Sequence, residues 1–145
     1  MLQPLIRPQS SYLPPALPDL SDKTVRGTLT DGALRAFFNI MEVWSVRDAD
    51  ARSLLGGVSN GNYYAMKKGN AAPLDADRLS RISALVGIFK SLNILHGEAL
   101  ADRWMQMPNR NRLFGGQTPL AYLMQGGLPA FETLRRFLDA RRGGQ

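Results

Sequence analysis

Residues 48–69 read DADARSLLGGVSNGNYYAMKKG. Asp48 or Asp50 opens a short helix, because an acid suits the positive end of a helix dipole. Ala51, Leu54 and Leu55 then fall on one inward side, and Gly56-Gly57 stops the helix. Ser59 has the side-chain oxygen that the free N–H groups of a first helical turn require, so a second short helix runs to Lys68 and ends at Gly69. Two helices this short need a close crossing and a sharp turn. Ser53 or Ala51 is the small residue that permits the crossing, and Gly57 takes the positive φ of the turn. Val58, Tyr63 and Met66 fill the space between. The layout is a helix-turn-helix.

With the inward positions assigned, Ser59, Asn60, Tyr64, Lys67 and Lys68 point outward. That edge enters a major groove where such units bind DNA, which makes these five the candidate DNA-binding residues. Gly61 and Ala65 stand where base-reading side chains belong, leaving phosphate contacts from Lys67, Lys68, Arg78 and Arg81 as the remaining means. The other reading of the same residues is a purely structural helical hairpin with solvated lysines.

The helical period continues on both sides. Upstream, from Asp31, Leu34, Phe37, Phe38, Met41 and Trp44 make one apolar stripe. Downstream, Pro73, Asp75 and Asp77 start a long helix that buries Leu79, Ile82, Val86, Phe89 and Leu92. Gly97 breaks the chain before a helix carrying Leu100 and Trp104. No alternating strand pattern occurs, and the fold is all-α. Pro4, Pro8, Pro14, Pro15 and Pro18 predict an extended, poorly ordered arm. The expected divisions are a proline-rich arm over 1–30, a helix-turn-helix domain over 31–96 and a C-terminal helical domain over 97–145.

Composition narrows the function. The chain has 145 residues and a net charge of +6, which favours anionic partners. Residues 103–145 carry seven arginines against only Glu132 and Asp139, so the basicity gathers at that end. Cysteine is absent and His96 is the lone histidine, beside a helix boundary. With no second histidine and no clustered carboxylates, the chain reads as a non-enzyme without metal or cofactor. The proline-broken N-terminus is unlike a signal peptide, and no apolar run approaches the ~20 residues of a membrane span. The expected setting is cytoplasmic.

Residues 108–127, PNRNRLFGGQTPLAYLMQGG, place a punctuated loop between helices. Thr118-Pro119 starts a helix with Leu120, Leu123 and Met124 on one face, and Gly126-Gly127 ends it. A last helix follows with Leu128, Phe131, Leu134 and Leu138 on its apolar side. Arg135 and Arg136 stand outward, near Glu132 and Asp139.

Trp104, PNRNRLFGGQTPLAYL and GGLPAFETLRRFLDARRGG, in that order, resemble the toxin-binding domain of the Xre/MbcA/ParS-type antitoxins. LLGGVSNGNYYAMKKG is similar to the degenerate Xre-like helix-turn-helix upstream of it, with departures at Gly61 and at Met66, where a tryptophan is common. The resemblance implies a partner, a RES-domain toxin that degrades NAD⁺. It also implies a homodimer within a larger toxin-antitoxin complex, and operator DNA bound for autorepression. The residues it points to for toxin binding are Arg110 and Arg112 in the loop, Arg135 and Arg136 on the last helix, and Arg141, Arg142, Gly143 and Gly144 in the tail. The competing reading is a stand-alone helix-turn-helix regulator whose C-terminal region only dimerises.

Overall fold

Asp22, Ser59, Asp75 and Thr118 each turn a side-chain oxygen onto a free backbone N–H and start a helix. They do so in a computed structural model that describes residues 19–143. Among these residues lie α1 (Lys23–Val43), α2 (Asp48–Leu54), α3 (Asn60–Lys67), α4 (Ala76–Leu95), α5 (Glu98–Trp104) and α6 (Pro119–Arg142), with no strand. The expectations for the prolines up to Pro18 and for Gly144 fall outside the described residues.

The first helix begins well before the apolar stripe does. Asp22 Oδ1 accepts from Thr24 N at 2.8 Å and sets the start at Lys23. The early turns are polar, so periodicity does not reveal them. Thr30 is nonetheless buried, because its hydroxyl donates to Arg26 O and accepts from Leu74 N. A polar residue thereby serves as core, its hydroxyl fully partnered.

The long helix α4 lies between α1 and α6 and packs on both. Leu79, Ile82, Leu85, Ile88 and Leu92 are buried, while Val86 and Phe89 are only half-buried. Contact from two sides rotates the core face away from the single stripe that the sequence suggests.

The last helix is two helices joined at Gly127, whose φ of 65° and ψ of −157° suit glycine alone. Pro129 follows, where its missing N–H falls in a first helical turn and costs nothing. Leu120, Leu123, Phe131, Leu134 and Leu138 are buried, and Leu128 and Met124 are half-buried. One continuous core runs from Leu34 to Leu138, so the helix-turn-helix unit and the C-terminal helices share an interior.

Candidate functional site

The turn between α2 and α3 contains two left-handed glycines, Gly56 at φ 91° and Gly57 at φ 86°. Arg52 closes it, since its carbonyl accepts from Gly57 N at 2.9 Å and its Nε donates to Val58 O at 3.0 Å. Ala51, Leu54, Leu55, Val58 and Tyr63 enter the core, and Met66 packs against it. Asn60, Tyr64 and Lys67 occupy one exposed stripe of α3, with the Ser59 cap at its head and the exposed Lys68 capping its end.

Two residues of that stripe are engaged within the fold. The Asp48 carboxylate at the start of α2 accepts from Tyr63 Oη at 2.7 Å, Tyr64 Oη at 3.0 Å and Lys67 Nζ at 2.9 Å. These three donors, Tyr63 first, hold the Asp48 carboxyl at about 2, below its ordinary value of 3.8. Burial, and then the Asp48 carboxylate, push the Tyr63 hydroxyl up. Sequence reading treats Asp48 only as a helix opener. Its partners stand a whole helix away, and no spacing rule connects them.

Arg78 and Arg81 are also committed. Arg78 pairs with Asp75 at 2.9 Å. Arg81, its side chain only 15% exposed, pairs with Asp77 at 2.8 Å and donates to Leu54 O at 3.3 Å. Its guanidinium also stands over the Phe131 ring at 5.6 Å. One arginine therefore joins the end of α2, the start of α4 and the second half of α6. Gly56 leaves room for it: a Cβ there would sit 3.3 Å from Arg81 Cζ.

In the C-terminal unit, α5 leads into a loop folded on its own asparagines. Asn109 Oδ1 accepts from Asn111 N at 2.9 Å, and Asn111 Oδ1 accepts from Leu113 N at 3.0 Å. Phe114 is buried beneath it, while Arg110 and Arg112 stand exposed. Arg136 is exposed as well. Arg135 differs from the outward placement expected of it. It lies across α4 at Gly87, where any Cβ would collide with its guanidinium, donates to Ser83 O at 3.4 Å and pairs with Asp139 at 3.7 Å.

Helix α6 continues through the tail arginines to Arg142. Arg141 sits 4.4 Å from the Phe137 ring centroid, and Arg142 Nη1 donates to the buried Ser91 hydroxyl at 3.3 Å. Gly143 caps the helix. His96 ends α4 with its ring stacked on Trp104. Among the described residues no group of acidic or histidine side chains is arranged to hold a metal, and no helix is long and apolar enough to cross a membrane.

Residues 27–87 match the antitoxin Xre-like helix-turn-helix domain, and residues 91–144 match the antitoxin Xre/MbcA/ParS C-terminal toxin-binding domain. The two models meet inside α4, the helix that both units pack on. The uncharacterized protein y4oB of Sinorhizobium fredii (strain NBRC 101917 / NGR234) is 36% identical over 112 residues, covering 77% of this chain and 84% of the relative. No solved structure matches the chain significantly. The two-glycine turn of α2 and α3, the asparagine-braced loop after Trp104 and these matches agree: the chain belongs to the Xre/MbcA/ParS antitoxins, an Xre-like helix-turn-helix unit followed by the toxin-binding domain.

Proposed function

We propose that the protein neutralises a RES-domain, NAD⁺-degrading toxin encoded beside it by covering the toxin's active site, and that a homodimer of the chain represses its own promoter. The observation that carries the neutralising half is the state of the C-terminal arginines. Arg110, Arg112, Arg136 and Arg141 are exposed and, among the described residues, form no ion pair, on the unit that matches the toxin-binding domain. Guanidinium forks pair with the carboxylates and backbone acceptors that line a nucleotide-degrading site. The exposed stripe of α3, with Ser59 and Asn60 at its head and Lys68 at its end, supports the DNA half.

Co-expression with the neighbouring RES-domain reading frame should return both chains on a tag placed on the antitoxin, with cellular NAD⁺ held at the uninduced level. A chain that dimerises and binds promoter DNA while leaving the toxin free is a stand-alone regulator instead. For the promoter, the Lys67→Ala, Lys68→Ala double variant should bind more weakly across all sequences, with the salt slope reduced by about one per lost phosphate contact. Wild-type affinity in that variant would remove α3 as the reading helix.

A further inference from the structure

The loop after α5 and the end of α6 are distant in sequence but meet around one cleft of about 340 Å³. Its floor is aromatic. His96 stacks on Trp104 with ring centroids 6.3 Å apart, and Trp104 and Phe137 are each set edge-on to Phe114. Arg141 lies over Phe137, and among the described residues its guanidinium N–H groups have no acceptor.

The two asparagines on the rim have their polarity set by the turn they make. Each Oδ1 is already taken by a backbone N–H, Asn109 by that of Asn111 and Asn111 by that of Leu113. Each Nδ2 is a donor turned to no partner: among the described residues neither has an acceptor. The main chain of the loop is braced by further bonds: Asn109 N donates to Gln117 O, Gly116 N to Asn109 O and Phe114 N to Asn111 O. The rim is therefore two amide donors and a guanidinium, with no carboxylate in the lining, and His96 adds no negative charge in either protonation state. Exposed Arg110 and Arg112 add to the positive field beside it. Donors above an aromatic floor suit a carboxylate on a short apolar stem.

We infer that this cleft anchors an acidic side chain, an aspartate or glutamate, on the surface of the toxin. The inference rests on the neutralising reading above and adds the chemistry being recognised. It makes the loop and the end of α6 one surface.

Asn109→Asp and Asn111→Asp keep each Oδ1 for its backbone N–H and exchange the adjacent donor for a carboxylate oxygen. The turn is retained while the lining is reversed. Calorimetric titration of the full-length chain against a catalytically inactive form of the neighbouring RES-domain toxin is the test. The double variant, and Arg141→Glu separately, should raise Kd at least ~tenfold, or ~1.4 kcal/mol, with the thermal midpoint of the free double variant unchanged. Should the double variant lose its turn, Arg141→Glu carries the same test from the exposed side of α6. Changing the facing acid of the toxin to lysine should restore affinity for the Arg141→Glu chain. Wild-type affinity in these variants overturns the inference alone. A wild-type chain that fails to bind this toxin overturns the neutralising reading, and the inference falls with it. Loss of self-association in ultracentrifugation with toxin affinity intact would identify a second copy of the chain as the occupant, which also overturns it.

Discussion

Asp48 holds three donors with one carboxylate, and protonation would remove its charge and occupy one of its two oxygens, weakening these contacts. A carboxyl whose folded pKa lies below its unfolded value stabilises the fold fully above roughly pH 4 and loses that contribution as pH falls through the folded value. NMR titration of the Asp48 carboxyl should therefore show a midpoint at about 2, and Asp48→Asn should flatten the acid-side fall of Tm. A midpoint at the ordinary 3.8 would mean that the three contacts do not persist in solution. Arg81 is the other residue whose weight is set by distant partners. Its guanidinium satisfies the Leu54 carbonyl and Asp77 and covers Phe131, so Arg81→Ala should cost about 1–3 kcal/mol in urea unfolding. An unchanged urea midpoint would show that these contacts carry no stability.

At the scale of elements, the end of α6 divides its work. Phe131, Leu134 and Leu138 fasten the helix to the core, while Arg141 stands exposed in the last turn, over the Phe137 ring. Truncation after Asp139 keeps the fastening residues and removes Arg141 with everything after it. Toxin inhibition should be lost while the truncated chain keeps its fold by circular dichroism. Full inhibition by that chain would place the inhibitory surface on the loop from Pro108 to Thr118. The start of this helix was legible in the sequence, because Thr118 and Pro119 supply the cap and the donor-free first turn locally. The course of Arg135 was not, because it depends on Gly87 of another helix.

At the scale of the whole molecule, one core spans both family domains, with α4 belonging to each. Cooperative unfolding follows from a shared interior. The two tryptophans report separately, Trp44 at the end of α1 and Trp104 at the end of α5. Single-tryptophan variants, Trp44→Phe and Trp104→Phe, should give coincident denaturation curves. Two separated transitions would mean that the units fold independently. Charge is also distributed at this scale. Around the helix-turn-helix unit, Asp48, Asp50, Asp75 and Asp77 pair with Lys67, Arg47, Arg78 and Arg81. The net charge of +6 is therefore presented mainly by the C-terminal arginines.

Capping side chains, turn glycines and apolar spacing act within a turn or two of the chain. For that reason the sequence by itself determined the all-α class, the helix-turn-helix and the break between the last two helical segments at Gly126-Gly127. The buried hydroxyl of Thr30 and the early start of α1 escaped it, since periodicity is blind to a polar residue satisfied by a distant partner. Which charged side chains remain free was decided only by the tertiary structure. Lys67 and Arg135 look as available in sequence as Lys68 and Arg136, yet Asp48 holds one and α4 the other. The cleft of Asn109, Asn111 and Arg141 exists only because α6 packs along α4 and brings its end to the loop that precedes it. Spacing rules reach about four residues along a helix, whereas packing joins groups at any separation.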